Sequence, residues 1–481
     1  MLRYPDYAVI AVYMLLMIAL GVVAKRKVRN ASDYFAAGKR VPWWLGAISH
    51  HMSGYSAFAY VGYADIAYRL GFNIWTLFAL PCAIGIAFGA FVWAPRWAKM
   101  TILTPVEYLE KRFNNLVRQL TAWSGIALKF VDEGIKIYAL GLILATCSGL
   151  PLEWMIILCG LVSLVYVAFG GLWANILTDF AQFVVQFSIT LLLVPLTLGA
   201  VGGWSNMWAQ LPPTRGALFT SEYGPGYIFV FLIVITLSYN GGTWGLAQKY
   251  YSLRGPREAT KAALLSSFLY LVYPLAIYTP VWAAPLLGVS VENGEQSYIA
   301  VAEKLLHGIA PGLMGLLLSA MCAATMSMVC SDLNALAAVF TRDIYQRTMD
   351  PKASDRRLLA VGVIATAVLG AIMIAFGLAT PKLGGSFKAM MDWYAALLGP
   401  VSVPLLMGML WRRTTWRGAL AAWAGGIIVF LTVKYGLGAS WTIYTGAELL
   451  VTFAIFFGEG FIFHHTPEEQ KRVDEVFAQW D

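Results

Sequence analysis

Charged residues are scarce in this chain. They make up 12% of its 481 residues, and 59% of the residues are hydrophobic, whereas soluble proteins carry about a quarter charged residues. Such a composition cannot cover a soluble surface, so it excludes a cytosolic enzyme, a nucleic-acid-binding domain and a disordered scaffold. The net charge of +8 does not change this, because the basic residues lie between long apolar runs and form no stripe on a polar domain.

Metal, disulfide and catalytic motifs are also lacking. The five cysteines lie in or at the ends of apolar stretches, and no CxxC or Cys/His spacing typical of a metal site occurs. The sequence contains no HExxH, GxSxG or phosphate-binding loop motif. We therefore expect no catalytic residues, no cofactor other than a coupling ion and no nucleic-acid partner.

Long apolar runs fill most of the chain instead. A helix crosses the hydrocarbon core of a bilayer in about 20 apolar residues, and about thirteen such runs occur. They lie near 7–24, 44–66, 73–94, 119–147, 153–170, 175–202, 227–246, 261–286, 311–340, 357–379, 388–410, 415–436 and 441–463. The sequence therefore predicts an all-α integral membrane protein with about thirteen transmembrane helices, in which residues 1–465 form a single transmembrane domain.

Basic residues predict the orientation of these helices. Most of the 34 Lys and Arg residues lie in the connections after runs 1, 3, 7, 9 and 11 and in the C-terminal tail, and Lys249 belongs to the connection after run 7. Because cytoplasmic connections collect Lys and Arg, the N-terminus is predicted outside and the C-terminus in the cytoplasm. Residues 466–481 are predicted to form a cytoplasmic amphipathic tail helix with Thr466 as its cap.

Two runs are interrupted by glycine and polar residues. Run 2 contains GAISHHMSGYS and run 7 contains SYNGGTWG. Irregular backbone at membrane depth is tolerated only where it lines a cavity inside the protein. The two runs would open two five-helix halves of opposite orientation, residues 44–202 and 227–410. Interrupted helices at matching positions of inverted repeats indicate the central site of a transporter. The alternative is that the breaks are helix kinks and seams of small residues.

Run 4 carries four charged residues at membrane depth, Lys129, Asp132, Glu133 and Lys136. The i,i+4 pairs Lys129–Glu133 and Asp132–Lys136 can neutralise each other, which makes their cost in the membrane tolerable. Two interpretations stay open here: an ionic lock or polar cavity wall, and a purely structural network.

Several segments of the chain resemble the sodium/solute symporter family, which includes bacterial sugar, proline, pantothenate and sialic acid carriers. The first two are DYFAAGKR (33–40) with Trp44, and GGLW (170–173) followed by Thr178, Asp179 and Gln182. The next two are WG (244–245) with Gln248 and REA (257–259), and AATMS (323–327) with LN (333–334) and FTRDIY (340–345). The last is GP (399–400) with LWRR (410–413) and GA (418–419). They span residues 33–420. The resemblance implies a LeuT-type 5+5 inverted repeat of runs 2–6 and 7–11, with one extra helix before it and two after it. It also implies alternating access, a small-molecule solute, a monomer and the bacterial inner membrane.

The resemblance also implies a sodium site between runs 2 and 9. By position, Ser49 and Met52 would supply backbone carbonyls from run 2, Ala324 would supply a carbonyl from run 9, and Ser327 a hydroxyl. Met328 stands where the family usually has Ser or Thr. Sodium is a hard cation that prefers oxygen, so a thioether is a poor substitute.

A proton is the alternative coupling ion. His51 stands beside the predicted site, and both it and His50 belong to the side-chain type that titrates near neutral pH when unperturbed. Asp179 matches an acidic residue that members of the family use on the path of sodium toward the cytoplasm. Sodium coupling with Ser331 or water completing the site, proton coupling and ion-independent transport all stay open.

Sugar-carrying members of the family place their solute between runs 2, 7, 9 and 11. Matching by position gives the candidate solute-binding residues Ser53, Ser56, Asn240, Trp244, Tyr270, Ser331 and Asp392. A carboxylate at Asp392 suits a polyol or a cation, unless it pairs with Lys388 one turn earlier. We expect a sodium-coupled importer of a small polar organic solute, with a sugar or polyol favoured. An amino-acid or organic-acid carrier, a transport-like sensor and a channel are the alternatives.

Overall fold

The computed structural model describes residues 2–24, 26, 31–306, 308–383 and 386–480. Within these residues the chain is built from helices, and its only β-type pairing is an isolated bridge between Val41 and Leu253. The long helices and the tail helix, numbered in chain order, are α1 (Tyr4–Ala24), α2 (Trp43–Met52), α3 (Gly62–Leu70), α4 (Trp75–Val92), α5 (Asn115–Ser148), α6 (Leu152–Val201), α7 (Pro225–Leu237), α8 (Gly245–Tyr251), α9 (Pro256–Trp282), α10 (Leu313–Val339), α11 (Asp355–Ala379), α12 (Ser386–Met407), α13 (Trp416–Leu431), α14 (Trp441–Ile462) and α15 (Pro467–Phe477). Short helices lie at Ala31–Ala36, Ala94–Lys99, Glu107–Arg112, Trp204–Gln210 and Ser297–Leu306.

Ten helical segments of the described chain are long and apolar enough to cross a membrane. Three of the predicted runs are not among them. Run 2 is divided between α2 and α3, run 4 forms the charged helix α5, and run 5 is the first part of α6. Runs 5 and 6 join into one helix that is kinked at Gly171, where φ is 53°. The predicted all-α membrane fold is confirmed, and the number of thirteen spans stays a prediction.

The first break separates α2 from α3. Ser56 has an extended backbone, and its hydroxyl accepts a hydrogen bond from the backbone N–H of Phe58 at 3.2 Å. A side chain at Gly54 would place its Cβ 1.7 Å from the hydroxyl oxygen of Tyr270, so the unwound segment needs glycine for this close approach. The chain is therefore unwound in the middle of run 2, as the sequence predicts.

The second break separates α7 from α8. The backbone leaves helical geometry at Asn240, at Gly241 with a φ of 112° and at Trp244 with a φ of 70°. Positive φ is common for glycine and rare for a bulky residue such as tryptophan. The side-chain amide of Asn240 donates to the carbonyls of Gly85 and Thr236 at 2.9 and 2.8 Å. These bonds satisfy carbonyl groups that would otherwise be costly inside a membrane.

Helix α10 lies at the centre of the molecule. In its most apolar stretch 78% of the residues are buried, and the helix packs against α1, α5 and α6. Its polar residues, which include Ser327, Ser331 and Asp332, therefore contact protein rather than lipid.

The tail helix α15 begins with the predicted capping arrangement. The hydroxyl of Thr466 accepts from the backbone N–H of Glu469 at 3.3 Å, and the carboxylate of Glu469 accepts from the backbone N–H of Thr466 at 2.9 Å. Its apolar face, which includes Val473, packs on the rest of the chain near the short helix Glu107–Arg112. The cytoplasmic position of this helix stays a prediction.

Candidate ion and solute sites

A cavity lies where the two helix breaks meet. The space in it that the centre of a water-sized sphere can reach is about 70 Å³. Its walls come from both breaks and from α4, α5, α10 and α12. The polar lining residues are Ser53, Ser56, Asp132, Lys136, Ser238, Thr243 and Asp332, and the aromatic ones are Tyr55, Phe58, Tyr63, Phe78, Phe231, Tyr239 and Tyr394. Both kinds of contact that a polar organic solute needs are therefore present.

Two of the predicted solute-binding residues, Ser53 and Ser56, line this cavity. Ser331 lies behind Ser53, with the two hydroxyl oxygens 2.5 Å apart. The hydroxyl of Tyr270 donates to a backbone carbonyl at the end of α2 at 3.0 Å, and the ring of Trp244 is buried. Neither of these two aromatic residues lines the cavity.

Asn240 and Asp392 are placed away from the cavity. Asn240 holds the second break, as described above. Asp392 lies in a separate outer pocket of about 1,350 Å³, where its carboxylate is 2.9 Å from the Lys434 ammonium and accepts from the Tyr444 hydroxyl. This geometry favours a structural ion pair for Asp392. The pair suggested by the sequence involved Lys388, whose side chain lies outside the described residues.

A buried ionic network forms the cavity wall that α5 contributes. The Lys129 ammonium lies 2.6 Å from the Asp332 carboxylate and 3.0 Å from that of Asp132. The Lys136 ammonium lies 2.8 Å from Asp132 and 2.6 Å from Glu133. The suggested pair Lys129–Glu133 is also present, at 3.7 Å. Three carboxylates therefore share two ammonium groups, which leaves one formal negative charge in excess.

Part of the ionic network lines the cavity, and two of its carboxylate oxygens can still accept a hydrogen bond. Asp132, Lys136 and Asp332 line the cavity, and the hydroxyl of Tyr394 donates to Asp132 at 2.7 Å. Oδ1 of Asp132 and Oε2 of Glu133 are buried and have no hydrogen-bond partner among the described residues. The wall thus offers carboxylate acceptors beside an ammonium donor, which favours a cavity role over a purely structural one.

The carboxylate of Asp179 on α6 gathers two residues of the predicted ion site. Ser327 on α10 donates its hydroxyl to Oδ1 of Asp179 at 2.6 Å, and Ser49 on α2 donates its hydroxyl to Oδ2. All three side chains are fully buried. Two of the five predicted sodium-site residues, one from run 2 and one from run 9, therefore meet at Asp179.

Lys249 on the half-helix α8 reaches the same carboxylate. Its ammonium lies 3.4 Å from Oδ2 of Asp179. The amide of Asn175, oriented with its NH₂ group toward Asp179 at 3.0 Å, accepts from Lys249 at 2.8 Å and from the Ser331 hydroxyl at 2.7 Å. Lys249 is 1% exposed, so it is part of the buried site and not of a basic cytoplasmic connection.

The two histidines of run 2 differ in their surroundings. His50 contacts the hydroxyl of Ser266 at 2.8 Å and the carbonyl of Tyr239 at 3.2 Å through its two ring nitrogens. Neither ring nitrogen of His51 has a partner among the described residues. The His51 ring packs in an aromatic surrounding that includes Tyr270, with the ring centroids 4.8 Å apart. His51 is thus enclosed but makes no contact with Asp179.

Comparison with known proteins identifies the family of this fold. The sequence profile described as the sodium:solute symporter family matches residues 34–426. The chain belongs to that family. It is a member of a transporter family and not an enzyme, as the sequence predicts.

Known members of the sodium:solute symporter family are similar over most of their length. The chain is 29% identical to the sodium/glucose cotransporter of Vibrio parahaemolyticus, with 90% of this chain and 86% of the relative covered. It is 27% identical to the sodium/mannose cotransporter of Bos taurus, with coverage of 90% and 79%. The solved structure of a Na⁺-coupled sialic acid symporter, in a substrate-bound outward-open state, matches with a TM-score of 0.85 at 21% identity and covers 96% of this chain and 98% of that one. This likeness confirms the LeuT-type fold.

The side chains at the predicted sodium positions fit sodium poorly. Met328, at the position where the resemblance implies a hydroxyl residue, lines the cavity between the two breaks. The hydroxyls of Ser49 and Ser327 are both turned to Asp179. Sodium would therefore find one thioether and two hydroxyls already engaged with a carboxylate.

The backbone carbonyls at these positions are also engaged. The carbonyl of Ser49 accepts from the Ser53 N–H at 2.9 Å, and that of Met52 accepts from the Tyr55 N–H at 3.3 Å. Ala324 lies in the interior of α10, a helix without a break. Each of the two run-2 carbonyls thus already accepts one backbone hydrogen bond.

Sequence reasoning missed Lys249, Asn175, Asp332 and Tyr394. The pattern of basic residues predicts Lys249 in the connection after run 7, although it directly follows Gln248 of the family-like segment. That adjacency was an available signal that Lys249 lies inside the transport core. Asp332 is a carboxylate inside run 9, and a charged residue at membrane depth was itself an available signal. Asn175 and Tyr394 are polar residues in apolar helices, and only the packing of distant helices brings them to the sites.

Proposed function

We propose that this chain is an alternating-access importer of a small polar organic solute, with a sugar or polyol favoured. The observation that carries the proposal is the meeting of two unwound helix segments at one cavity, which is walled by hydroxyl groups and a charged network. Transporters built from inverted repeats bind their solute at such discontinuous helices. The assignment of the repeats to residues 44–202 and 227–410 is part of this proposal.

The chemistry of the cavity supports a polyol. Each hydroxyl of a sugar both donates and accepts, and the cavity pairs acceptors such as Asp132 with donors such as Lys136 and Ser56. Aromatic rings, among them Tyr239, supply apolar surface for the carbon skeleton. The names of two relatives, a glucose and a mannose cotransporter, agree with this solute class.

A thermal-shift screen of the purified protein followed by counterflow in proteoliposomes tests the solute. Sugars, polyols, amino acids and organic acids are screened, because a ligand that binds the folded carrier raises its apparent stability. We expect sugars or polyols to stabilise the protein and to show saturable counterflow. Counterflow of organic acids or amino acids alone would replace the sugar proposal with that alternative, and its absence for every stabilising solute would argue for a sensor.

Variants of the cavity sharpen this test. Ser56→Ala should weaken solute affinity by about tenfold, the effect of losing one hydrogen bond of roughly 1.4 kcal/mol. The matched control is Ser290→Ala, which removes an exposed hydroxyl. Asp392→Asn lies in the outer pocket and should leave solute affinity unchanged. A larger loss in Asp392→Asn than in Ser56→Ala would move the solute site to the outer pocket.

For the coupling ion, the family and the geometry favour different answers. Sodium at Ser49, Met52, Ala324, Ser327 and Met328 is supported by family membership. Proton-coupled or ion-independent transport is supported by the buried ammonium beside Asp179 and by the thioether of Met328. We propose proton-coupled or ion-independent transport for this chain. Measuring solute uptake with sodium and proton gradients imposed separately distinguishes these alternatives. A strict requirement for sodium would favour sodium coupling instead.

We also propose that the protein works as a monomer in a bacterial inner membrane, with its N-terminus outside. A bacterial relative and the distribution of basic residues support the membrane and the orientation. A reporter that is active only in the cytoplasm, fused after α15, should be active. The mass of the purified protein in detergent tests the monomer.

A further inference from the structure

We propose that the ammonium of Lys249 serves as a built-in cation at Asp179, in place of a sodium ion. The inference rests on the proposed function as a carrier and specifies how its ion site works. The observations that carry it are the 3.4 Å distance from the Lys249 ammonium to Asp179 and the 2.8 Å contact to Asn175. The site would then hold its cation permanently, because α8 carries it.

The charges of the site are balanced without an ion. Asp179 contributes one negative charge and Lys249 one positive charge, while the other contacting side chains, those of Ser49, Ser327 and Asn175, are neutral. A sodium ion added to this set would leave one net positive charge in a fully buried place. Burying an uncompensated charge is strongly unfavourable, so the lysine excludes sodium electrostatically.

The oxygens of Asp179 are also fully engaged. Oδ1 accepts from Ser327 at 2.6 Å and from Asn175 at 3.0 Å. Oδ2 accepts from Ser49 and pairs with Lys249. A hard cation needs several oxygen ligands with free lone pairs, and this carboxylate offers few. Charge balance and coordination therefore both favour the lysine over sodium.

The position of Lys249 gives the ammonium a role in the transport cycle. It lies on the half-helix that follows the second break, whereas Asp179 lies on α6 and Ser49 on α2. The contact thus joins elements from both proposed repeats, as a bound ion would. Unlike an ion, it is not released to the cytoplasm, so solute transport does not consume a sodium gradient through this site.

Sodium-specific stabilisation of the purified full-length chain tests the inference without any solute. The midpoint of thermal unfolding is measured in sodium chloride and in choline chloride at equal ionic strength. We expect the same midpoint in both salts for the natural sequence. The double variant Lys249→Met/Met328→Ser removes the ammonium and restores a hydroxyl, and its midpoint should rise by several degrees in sodium only, because sodium binds the folded form.

Two further variants keep the test decisive. Lys249→Gln/Met328→Ser retains a donor to Asp179 and serves if the first double variant does not fold. Asp179→Asn in either background should abolish the sodium response. A sodium-specific rise in the natural sequence that Asp179→Asn removes would overturn the inference. Insensitivity of a folded double variant to sodium would overturn it as well, because Lys249 would then not occupy a cation site.

The outcomes also separate this inference from the proposed function. Absence of uptake for all solutes would refute the carrier but leave the salt measurements valid. Uptake that is abolished in choline in the natural sequence would refute the role of Lys249 and leave the carrier intact.

Discussion

Removal of Lys129 should destabilise the protein more than any surface lysine can. In the structure its ammonium contacts Asp332, Asp132 and Glu133, and its side chain is 2% exposed. Asp132 keeps Lys136 as a partner after Lys129→Met, but Lys129 is the only cation in contact with Asp332 within the described chain. Breaking a buried pair and leaving one charge uncompensated costs about 3–5 kcal/mol, which is the loss we expect.

A double-mutant cycle measures whether this loss comes from the pair with Asp332. Asp332→Asn in the Lys129→Met background removes the stranded charge, so the double variant should be more stable than Lys129→Met alone, with a coupling of at least about 1 kcal/mol. Lys304→Met is the matched control, because Lys304 is exposed on a short helix. The assay is unfolding of the purified protein in detergent by heat and by denaturant.

Two results would refute this reasoning. A Lys129→Met variant that is no less stable than Lys304→Met would show that the Asp332 carboxylate does not depend on the Lys129 ammonium for its stabilisation. Additive effects of Lys129→Met and Asp332→Asn would show that the two groups do not depend on each other.

Three further predictions follow from the packing. Gly54→Ala should lower the free energy of unfolding by about 1–3 kcal/mol, because the added methyl group overpacks the first break. Gly199→Ala, with nothing within 4 Å of its new methyl group, should not lower it in the same unfolding assay, and equal effects of the two variants would contradict the close packing at Gly54. His50→Phe loses two contacts and should lower the free energy of unfolding by about 1–3 kcal/mol. His51→Phe should be neutral or stabilising, because the His51 ring nitrogens have no hydrogen-bond partner in the described part of the chain; the reverse order would mean that His51 has the essential partner. Thr466→Ala should cost the tail helix about 1 kcal/mol and speed hydrogen exchange within Pro467–Phe477, and unchanged exchange would show that the cap does not hold this helix.

The sequence was sufficient for the class of fold and for the position of the helix breaks. The segments GAISHHMSGYS and SYNGGTWG are polar where a span must be apolar, and backbone unwinding is the physical consequence of that pattern. Ser53 and Ser56 were predicted by positional matching to the family, and they line the cavity because they lie beside or in the unwound segment of run 2.

The rest of the site depends on distances between helices that local sequence does not contain. Lys249 and Asp179 are 70 residues apart, and Lys129 and Asp332 are 203 apart. Asp392 follows the family by position, yet the packing of α12 against α13 and α14 brings it to Lys434 and Tyr444. Side-chain pairing across helices, which positional matching ignores, decides these assignments.

The anchoring of Asn240 determines which parts of the molecule can move separately. Its amide joins the carbonyls of Gly85 on α4 and Thr236 on α7, and its own carbonyl accepts from the indole N–H of Trp97 at 2.9 Å. The unwound stretch is therefore hydrogen-bonded to α4 and to the short helix Ala94–Lys99 that follows it. A movement of α8 and the unwound stretch away from α4 would break the bonds to Gly85 and Trp97. We therefore expect α4 and α7 to move together when the cavity opens.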